Sequence, residues 1–588
     1  MLTGASGAAP GRVVLRDAAS GRWLEFWGLR DLVRVQTLAE VAPALTAAER
    51  TVSKDGLHAA GFVSYEAAPA FDSSIRVPQG SAFPLLWFGL YEQVETVQLE
   101  PASEADFKSE WAASVAWEEF RGNLERIKAL IRSGDTYQVN YTHRLRTKLA
   151  AEPWKVFLQL IAAQEVPYGA FIDIGDWAIC SSSPELFFRL EGNRIECRPM
   201  KGTAARGRTP AEDRDRARAL QSSDKERAEN VMIVDMVRHD LGRVAQTGSV
   251  RVASLFDVER YPTLWQMTST IQAETSAGLG EIFRALFPPA SITGAPKVRT
   301  TQIIAELEPL PRRVYTGAVG FLLPGRRAQF NVAIRTLLWD RRNGEAEYGV
   351  GSGITWDSDP AAEWQECRIK TQVLSAPVPK FSLLETMLWT ARQGYVLLER
   401  HLERMQESAL YFGFKFDLPR VRQQLEQLAS TFDRVSHKVR LLSDPSGAIR
   451  LESAPLSEAA EAPPRVALAR GAVNSADRFL CHKTTHRSIY ETARQLCPGF
   501  DDVVLFNERG EVTESTIANV AVEIDGQLFT PPVDCGLLPG TLRAQLLSKG
   551  ELVERPILVD ELLRSRRVFL LNSVRGLYAV SVVRDQQA

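Results

Sequence analysis

Two pairs of glutamates, far apart in the chain, share a spacing that suits metal chemistry. Glu226 and Glu229 are three residues apart, and so are Glu363 and Glu366. On a helix, residues at i and i+3 project from one face, so each pair would present two carboxylates together. Carboxylate oxygens are the ligands that a hard cation such as Mg²⁺ prefers. On spacing alone a solvated acidic helix face is the simpler interpretation, and the metal hypothesis depends on the surrounding sequence.

The two pairs lie among a series of motifs spread over residues 131–354. In chain order these are Ile131-Arg-Ser-Gly-Asp-Thr-Tyr-Gln-Val-Asn140, Ser182-Ser-Pro-Glu-Leu186, Arg198-Pro-Met-Lys-Gly-Thr203, a longer run from Ala228 to Arg243, Ser291-Ile-Thr-Gly-Ala-Pro-Lys297, Ala333-Ile-Arg-Thr336 and Gly351-Ser-Gly-Ile354. Together they resemble the chorismate-utilising enzymes, a group that includes anthranilate, isochorismate and aminodeoxychorismate synthases. The resemblance extends over residues 60–375. It implies an α+β fold with antiparallel sheets in two layers, outer helices, and an active site between the sheets.

The resemblance also implies a substrate site and a metal site. Mg²⁺ would bridge Glu229 and Glu366 to a carboxylate of chorismate, with Glu226 and Glu363 acting through water in the outer shell. Arg335 has the planar guanidinium that can hold the dianion's carboxylate through two hydrogen bonds. The substrate-binding residues expected beside Arg335 are Tyr315, Gly202, Thr203, Ser291, Gly351, Ser352 and Gly353.

Two positions discriminate between branches of this group. Relatives that add water resemble one another in having a lysine base where this chain has Gln138, and an amide cannot deprotonate water, so ammonia is the expected nucleophile. Lys201 occupies a position at which anthranilate synthases resemble Pro-Ile-Ala-Gly-Thr and aminodeoxychorismate synthases resemble Pro-Ile-Lys-Gly-Thr. A deprotonated lysine could attack ring carbon 2 as the C4 hydroxyl leaves, with Glu185 as the family-implied general acid.

One motif departs from the family. Relatives usually have His-His-Leu-Val-Ser where this chain has Trp265-Gln-Met-Thr-Ser269. Gln266 cannot serve as an acid or a base, but its amide could still donate a hydrogen bond.

The last third of the chain carries a different set of motifs. They are Leu384-Glu-Thr-Met387, His401-Leu-Glu-Arg-Met405, Lys483-Thr-Thr-His-Arg487, Gly510-Glu-Val-Thr-Glu-Ser515, Asn519-Val-Ala, Gly536-Leu-Leu-Pro-Gly-Thr541 and Asn572-Ser-Val-Arg-Gly576. They resemble the fold-type IV pyridoxal-phosphate proteins, which include branched-chain and D-amino-acid aminotransferases and aminodeoxychorismate lyase. The resemblance covers residues 381–588 and implies a two-lobed domain, although the strand pair with which relatives begin is missing before Leu384.

Pyridoxal 5′-phosphate needs three kinds of group from a protein, and this part has a candidate for each. Lys483 would form the internal Schiff base, and Glu514 would pair with the pyridinium nitrogen. Guanidinium, hydroxyl and backbone N–H donors suit the phosphate, and the candidates are Arg404, Gly540, Thr541 and Ser573.

The local sequence predicts the elements that would position these residues. Helical spacing runs over residues 117–133, 222–241 and 360–373, and alternation predicts strands over residues 138–145, 316–323, 328–338 and 347–353. Pro377 and Pro379 cannot continue a helix and predict an extended connector. We therefore expect a chorismate-utilising domain at 1–375, a linker at 376–380 and a class IV domain at 381–588.

Composition narrows the class of protein further. With 72 acidic and 70 basic residues the net charge is −2, which argues against nucleic acid as a partner. The basic stretch from Arg206 to Arg218 is interleaved with acidic residues and is interpreted as a solvated loop and helix. Six cysteines without paired spacing fit a reducing compartment. No signal-peptide core or long apolar span is present, so we expect a cytoplasmic protein that contacts no membrane.

The two halves predict consecutive reactions. The first would convert chorismate and ammonia to 4-amino-4-deoxychorismate, and the second would eliminate pyruvate to give 4-aminobenzoate, on the folate branch. The cysteines lie outside any glutaminase-like motif, so ammonia would come from solution or from a separate glutamine amidotransferase subunit. A homodimer through the second domain is one option for assembly. The alternatives are an anthranilate synthase joined to a class IV aminotransferase, and a scaffold with one degenerate half.

Overall fold

The computed structural model describes residues 11–78, 80–102, 110–164, 166–374, 379–456 and 462–583. The chain divides into two compact units. One consists of Met1–Ala205 with Ala217–Val378, and the other of Arg206–Arg216 with Pro379–Ala588. Part of the linker expected at 376–380 lies outside the described residues. None of the described helices is both long and apolar enough to span a membrane.

Within the described residues, eighteen strands precede residue 375. They are β1 (Val13–Asp17), β2 (Arg22–Val35), β3 (His58–Val63), β4 (Leu86–Val97), β5 (Ala112–Ala113), β6 (Gln138–Lys148), β7 (Tyr168–Asp173), β8 (Trp177–Ser183), β9 (Leu186–Glu191), β10 (Arg194–Arg198), β11 (Met200–Ala205), β12 (Arg251–Arg260), β13 (Leu264–Glu274), β14 (Gly294–Ala295), β15 (Ala318–Leu323), β16 (Arg327–Val332), β17 (Thr336–Asp340) and β18 (Glu345–Ile354).

Eight α-helices are described over the same part of the sequence. They are α1 (Leu38–Asp55), α2 (Trp117–Arg132), α3 (Pro153–Gln164), α4 (Pro210–Ser222), α5 (Asp224–Gly242), α6 (Leu279–Leu286), α7 (Lys297–Leu307) and α8 (Pro360–Thr371). Local sequence explains where several of them begin. The Ser223 side chain accepts a hydrogen bond from the Glu226 N–H at the start of α5, and Asp359 caps α8 in the same way through the Ala362 N–H.

The strands of this first unit pair antiparallel wherever they are described, as β6 with β18 and β2 with β4 do. Successive residues of a strand face opposite sides, and here the two sides meet different partners. On β3, Phe62 packs in a cluster built from strand residues, whereas Val63 packs in a cluster that includes residues of α1, α5 and α6. The sheets therefore pack on each other through one face and on helices through the other, which confirms the predicted antiparallel two-layer fold.

The second unit has two sheets. Four antiparallel strands, β19 (Leu383–Thr390), β20 (Gly394–Tyr395), β21 (His437–Ser443) and β22 (Ile449–Pro455), form the smaller one in the order β20-β19-β21-β22. The larger one has the order β25-β24-β23-β30-β29-β26-β27-β28, with β23 (Arg465–Leu468), β24 (Asp502–Phe506), β25 (Val512–Ser515), β26 (Asn519–Ile524), β27 (Gln527–Thr530), β28 (Val553–Glu554), β29 (Val568–Asn572) and β30 (Gly576–Val583). The helices are α9 (Leu398–Phe412), α10 (Leu418–Ala429), α11 (Ser488–Leu496), α12 (Thr541–Ser548) and α13 (Val559–Arg564).

Two features of the chain differ from or extend the sequence-based expectations. The basic stretch expected to be solvated is partly buried, because the Arg206 guanidinium forms two hydrogen bonds with Asp213, at 2.7 and 2.8 Å, and both side chains are less than 8 % exposed. All six cysteines are free and buried.

Candidate active sites

The first unit has a cavity of about 150 Å³. Nearly all the residues that the sequence predicts for the chorismate and metal sites line it. Its walls include Glu185, Lys201, Gly202, Thr203, Ser291, Tyr315, Arg335, Gly351, Ser352 and Gly353, together with the four glutamates 226, 229, 363 and 366. These residues come from strands, loops and two helices that are distant in sequence. The antiparallel framework thus brings the predicted substrate and metal residues into one space.

Gln138 lies just behind this cavity. It is 1 % exposed, and neither polar atom of its amide has a hydrogen-bond partner in the described residues. A Cβ built on Gly353 would lie 2.3 Å from Gln138 Nε2 and 2.9 Å from Lys201 Nζ. A side chain at residue 353 would therefore displace the ends of the Gln138 and Lys201 side chains, which approach the same point of the strand.

Lys201 is held on β11 at the wall of the cavity. Burial lowers its pKa, while the nearby carboxylates of Glu229 and Glu185 act in the opposite direction. The next residue, Gly202, has φ of +96°, a conformation that side chains rarely adopt. A lysine whose amine is easier to deprotonate than usual meets the first requirement for a nucleophile.

Glu185 is the other group expected to take part in proton transfer. It is 3 % exposed, and burial raises its pKa to about 7. The Ser291 hydroxyl and Lys201 both favour the ionised form and so limit the rise. A carboxyl group that is protonated near neutral pH can serve as a general acid.

The four glutamates reach the cavity from two helices, Glu226 and Glu229 from α5 and the other two from α8. Burial raises the pKa of Glu226, and it raises that of Glu229 to about 7, although the nearby cations Lys201 and Lys225 act in the opposite direction on both carboxylates. Such a donor set fits a divalent cation. Within the described part of the chain, however, no three His, Cys, Asp or Glu side chains form a ready-made metal site.

The α8 carboxylates have partners of their own. Lys370 Nζ lies 2.5 Å from Glu366 Oε1 and keeps the pKa of that carboxyl below its usual value against the effect of burial. Glu363 Oε1 accepts a hydrogen bond of 2.7 Å from the Ser358 hydroxyl. Lys370 also donates to the Gly351 carbonyl at 3.0 Å and lines the cavity, a role that the sequence reasoning missed. Its position one helical turn after Glu366 was the available signal.

Arg335 corrects one strand prediction. The pattern predicts a single strand over residues 328–338, but the structure has two, β16 and β17, separated at Arg335 with φ of +49°. This left-handed residue carries a buried guanidinium that lines the cavity and gives one hydrogen bond of 3.2 Å to Gln164 Oε1. A guanidinium has five N–H groups, so donors remain for a carboxylate.

Gln266, which replaces the family histidine, forms hydrogen bonds within the cavity wall. Its Nε2 donates to the Gly202 carbonyl at 2.8 Å, and its Oε1 accepts from the Thr203 hydroxyl at 3.3 Å. The expectation that this amide would act as a hydrogen-bond donor is confirmed.

The candidate residues of the second unit centre on Lys483. Burial lowers the pKa of this lysine to about 8, and Arg404 adds to the effect. Its carbonyl accepts a 3.0 Å hydrogen bond from the Leu384 N–H at the start of β19. Glu514 is also buried and receives a hydrogen bond of 2.7 Å from the Tyr490 hydroxyl. An amine that is readily neutral and a buried carboxylate are the groups that pyridoxal phosphate requires.

The predicted phosphate-binding residues form a connected set only in part. Arg404 makes two hydrogen bonds to Glu385, at 2.8 and 2.6 Å, and a third to the Pro539 carbonyl at 3.0 Å. His401 contacts the same carboxylate, since its Nδ1 lies 2.6 Å from Glu385 Oε2 and its Nε2 lies 3.3 Å from Thr541 Oγ1. Glu385 and His401 were not predicted as site residues, although both stand in the quoted motifs.

Gly540 and Ser573 complete the predicted set. Gly540 is the N-cap of α12, where free backbone N–H groups favour an anion, and a Cβ there would lie 2.0 Å from Asn519 Oδ1. Ser573 donates to the Thr386 carbonyl at 3.3 Å. The donors present suit a phosphate, so this unit fits the cofactor that the class IV motifs imply.

Comparison with known proteins identifies the family of each part of the chain. Residues 15–376 match the family of chorismate binding enzymes, and the chain belongs to that family. Residues 382–583 match the amino-transferase class IV family, so the chain joins a chorismate-binding domain to a class IV domain.

Individual relatives come from two branches of the chorismate binding enzymes. The chain is 40 % identical over 275 residues to aminodeoxychorismate synthase component 1 of Escherichia coli K12, a match that covers 46 % of this chain and 60 % of that protein. It is 38 % identical over 273 residues to anthranilate synthase component 1 of Aquifex aeolicus, covering 46 % and 55 %. The crystal structure of anthranilate synthase component I from Streptococcus pneumoniae has the same fold, with a TM-score of 0.51 at 24 % identity over 64 % of this chain and 94 % of that one.

Proposed function

We propose that the chain is a bifunctional enzyme of 4-aminobenzoate synthesis. The first unit would form 4-amino-4-deoxychorismate from chorismate and ammonia, and the second would release pyruvate to leave 4-aminobenzoate. The observation that carries the proposal is that Lys201, Glu185 and the paired glutamates line one cavity. A nucleophile, an acid and a carboxylate cluster are together the parts that this displacement needs.

In the first reaction Lys201 acts as the nucleophile. Its neutral amine attacks ring carbon 2, the ring double bonds shift, and the bond from C4 to its hydroxyl breaks. Glu185 gives its proton to the departing oxygen, which leaves as water. Ammonia then forms the bond to C4, the double bonds shift back, and the Lys201 amine is released from carbon 2.

Binding groups position the dianion for this chemistry. Arg335 presents N–H donors to one carboxylate, and the segment Gly351–Gly353 of β18 offers close backbone approach. Glu229 and Glu366 would hold Mg²⁺ directly, with Glu226 and Glu363 in the outer shell, and the ion would neutralise charge at the second carboxylate. The proposed role of Gln138 is to accommodate ammonia without providing a base for water.

In the second unit, pyridoxal phosphate would supply an electron sink when bound. Lys483 would hold and release the cofactor and move protons at the substrate. Burial raises the pKa of Glu514 to about 7, and the Tyr490 hydroxyl together with the charge on the ring nitrogen would favour its ionised form. Arg404, Gly540, Thr541 and Ser573 would bind the phosphate.

The anthranilate branch is the competing proposal, because relatives of both names have nearly the same identity to this chain. Lys201 favours amination at C4, since the anthranilate-type motif has alanine there. We further propose a separate glutamine amidotransferase subunit as the source of ammonia, and the cytoplasm as the compartment, the latter on the cysteine pattern alone.

Product analysis tests the proposal directly. The full chain is incubated with chorismate, an ammonium salt, Mg²⁺ and pyridoxal phosphate, and the products are separated by liquid chromatography and mass spectrometry. We expect 4-aminobenzoate and pyruvate in equal amounts. Anthranilate as the product would favour the competing branch, and an unchanged chorismate pool would overturn the function. A parallel incubation with glutamine in place of ammonia should give no product until an amidotransferase is added.

A further inference from the structure

Beneath the chorismate cavity lies an ion pair that no part of the proposed mechanism uses. Arg312 and Glu308 are joined by two hydrogen bonds, of 2.9 and 2.6 Å, and their side chains are 0 % and 3 % exposed. Burying two charges is costly unless every polar atom is satisfied, and such a pair often contributes little net stability. The remaining contacts of the pair therefore indicate what it does.

The guanidinium of Arg312 donates to two carbonyl groups of the cavity wall. Its Nη2 lies 2.8 Å from the Asn140 oxygen, and its Nη1 lies 3.0 Å from the Ile292 oxygen. Both residues line the cavity, one on β6 and the other in the helical turn Ala290–Ile292. One rigid fork thus ties two walls that are separate in sequence.

Glu308 makes a second link to β6. Its two oxygens accept hydrogen bonds from the N–H and the hydroxyl of Thr142, at 2.8 and 2.9 Å. Thr142 is paired across the sheet with Gly351 of β18. The ion pair is therefore connected to the strand that presents the glycines to the ligand.

A second buried cation and a carboxylate keep this arrangement in place. Arg144 donates to the Thr142 hydroxyl at 2.9 Å and lies over the ring of Tyr315, 5.0 Å from its centroid. Glu66 accepts hydrogen bonds of 2.6 and 2.8 Å from the backbone N–H groups of Arg312 and Arg313. Tyr315 itself lines the cavity, so the network touches the substrate space on this side as well.

We propose that Arg312 and Glu308 are positioning residues that hold the chorismate cavity in its reactive shape. The neighbour of Ile292 is Ser291, whose hydroxyl donates to the general acid Glu185, so a shift of this turn changes the donor on the acid. A shift of Thr142 moves the Gly351 strand, against which Gln138 and Lys201 pack. The inference rests on the proposed function for the identity of the ligand.

The test separates positioning from stability with three variants. Arg312→Met removes the fork and leaves the buried Glu308 carboxylate with a single, more distant cation, Arg144 at 3.9 Å. Arg312→Lys keeps the charge but cannot reach Glu308 and both carbonyl groups at once. The double variant Glu308→Gln/Arg312→Met removes the poorly compensated charge while the Asn140 and Ile292 carbonyls still lack their donor. Melting temperature, kcat and KM for chorismate consumption, and calorimetric binding of chorismate with Mg²⁺ but without ammonia, are measured for each.

We expect Arg312→Met to lose about 10²-fold in kcat, because small displacements of reacting groups have effects of that size. Arg312→Lys should recover about tenfold of this loss. The double variant should regain the melting temperature lost by Arg312→Met and yet keep the low kcat. Chorismate binding should weaken in all three. In each folded variant the alkaline limb of the kcat–pH profile should move to higher pH, because displacing the Ser291 hydroxyl from Glu185 raises the pKa of that acid.

The matched control is Arg12, which makes two hydrogen bonds to the buried Glu25 at 2.6 and 2.9 Å in the same unit but lines no part of the cavity. Arg12→Met should lower the melting temperature with kcat and chorismate binding unchanged. If kcat of the double variant returns together with its stability, or if chorismate binding is unchanged in all three variants, the pair is only structural and the inference is overturned. Failure of the proposed function is distinct, since it appears in the wild-type products.

Discussion

Lys201 is subject to opposing electrostatic effects that decide its chemistry. Burial favours the neutral amine, which is the form proposed to act as the nucleophile, while Glu229 and Glu185 favour the ammonium form. A cation bound between the glutamates would compensate their charge and so shift the balance toward the amine. The metal carboxylates would therefore affect the nucleophile as well as the substrate.

Replacement of this lysine tests the covalent step. Lys201→Ala should reduce C4 amination by about 10³–10⁶-fold, the range found when a nucleophile is removed. Ammonia could then add at carbon 2, giving 2-amino-2-deoxyisochorismate, which mass spectrometry distinguishes after derivatisation. Wild-type enzyme quenched with chorismate in the absence of ammonia should carry an adduct on the Lys201 peptide.

Lys225, a second lysine of the cavity wall, provides the control for the adduct. Lys225→Ala should leave the adduct on the Lys201 peptide. Undiminished C4 amination by Lys201→Ala would contradict the covalent mechanism.

Glu185 gives a pH prediction whose sign follows from its contacts. As an acid it must be protonated, so activity should fall as pH rises through its pKa of about 7. The Ser291 hydroxyl favours the ionised form, and the neighbouring charge is Lys201, which does the same. Ser291→Ala removes one of these effects and raises the pKa, so the alkaline limb of kcat should move to higher pH. The profile is measured at constant free-ammonia concentration.

Ser64→Ala is a suitable comparison because Ser64 is also buried and donates to the Pro84 carbonyl, at 2.6 Å. Its alkaline limb should coincide with that of the wild type. A limb that is unmoved in Ser291→Ala would exclude Glu185 as the group that titrates.

At the scale of elements, helices were easier to predict than the points at which strands are interrupted. The spacing predicts a helix over residues 360–373, and α8 spans Pro360–Thr371. The residues 328–338 alternate without a break, and nothing in that pattern indicates that Arg335 adopts a left-handed conformation. Its conformation depends on tertiary contacts, among them the hydrogen bond to Gln164 from α3.

The same limit applies to the site. Motifs identified most of the residues that line the cavity, because their types and order are specific. They did not identify Arg312 or Glu308, which act through backbone carbonyl and N–H groups that only the folded structure brings near. Lys370 was missed although it lies on α8 one helical turn after the predicted Glu366.

The two carboxylates of α8 should differ in their effect on catalysis. Glu366→Gln removes a proposed direct ligand and should abolish chorismate consumption at any practical Mg²⁺ concentration. Glu363→Gln, whose carboxylate is already hydrogen-bonded to Ser358, should retain activity with a higher Mg²⁺ requirement. Initial rates over a Mg²⁺ titration measure both.

The visible absorption of bound pyridoxal phosphate reports on the second unit and serves as the folding control for these variants. It should be unchanged in both. Wild-type turnover by Glu366→Gln would remove the metal assignment.

At the scale of the whole molecule, the two sites should be separable by a single substitution. Lys483→Ala removes the amine proposed to hold pyridoxal phosphate, and the first unit needs no such cofactor. We expect 4-aminobenzoate formation to stop and 4-amino-4-deoxychorismate to accumulate at the wild-type rate of chorismate consumption. Chromatography of timed samples gives both quantities.

Lys549, an exposed lysine of the same unit, is the control, and Lys549→Ala should give the wild-type product pattern. Wild-type amounts of 4-aminobenzoate from Lys483→Ala would show that the second unit is not the lyase.

The buried cysteines make the chain suitable for measuring how each unit opens. Three thiols lie in each unit, Cys180, Cys197 and Cys367 in one and Cys481, Cys497 and Cys535 in the other. Alkylating reagents attack the thiolate. Burial shields all six sulfur atoms, and it raises the pKa of Cys367 and Cys481 to about 12. The thiols should therefore react only when the structure around them opens. Pulsed alkylation followed by peptide mass spectrometry would time the two units in one sample, without an added probe.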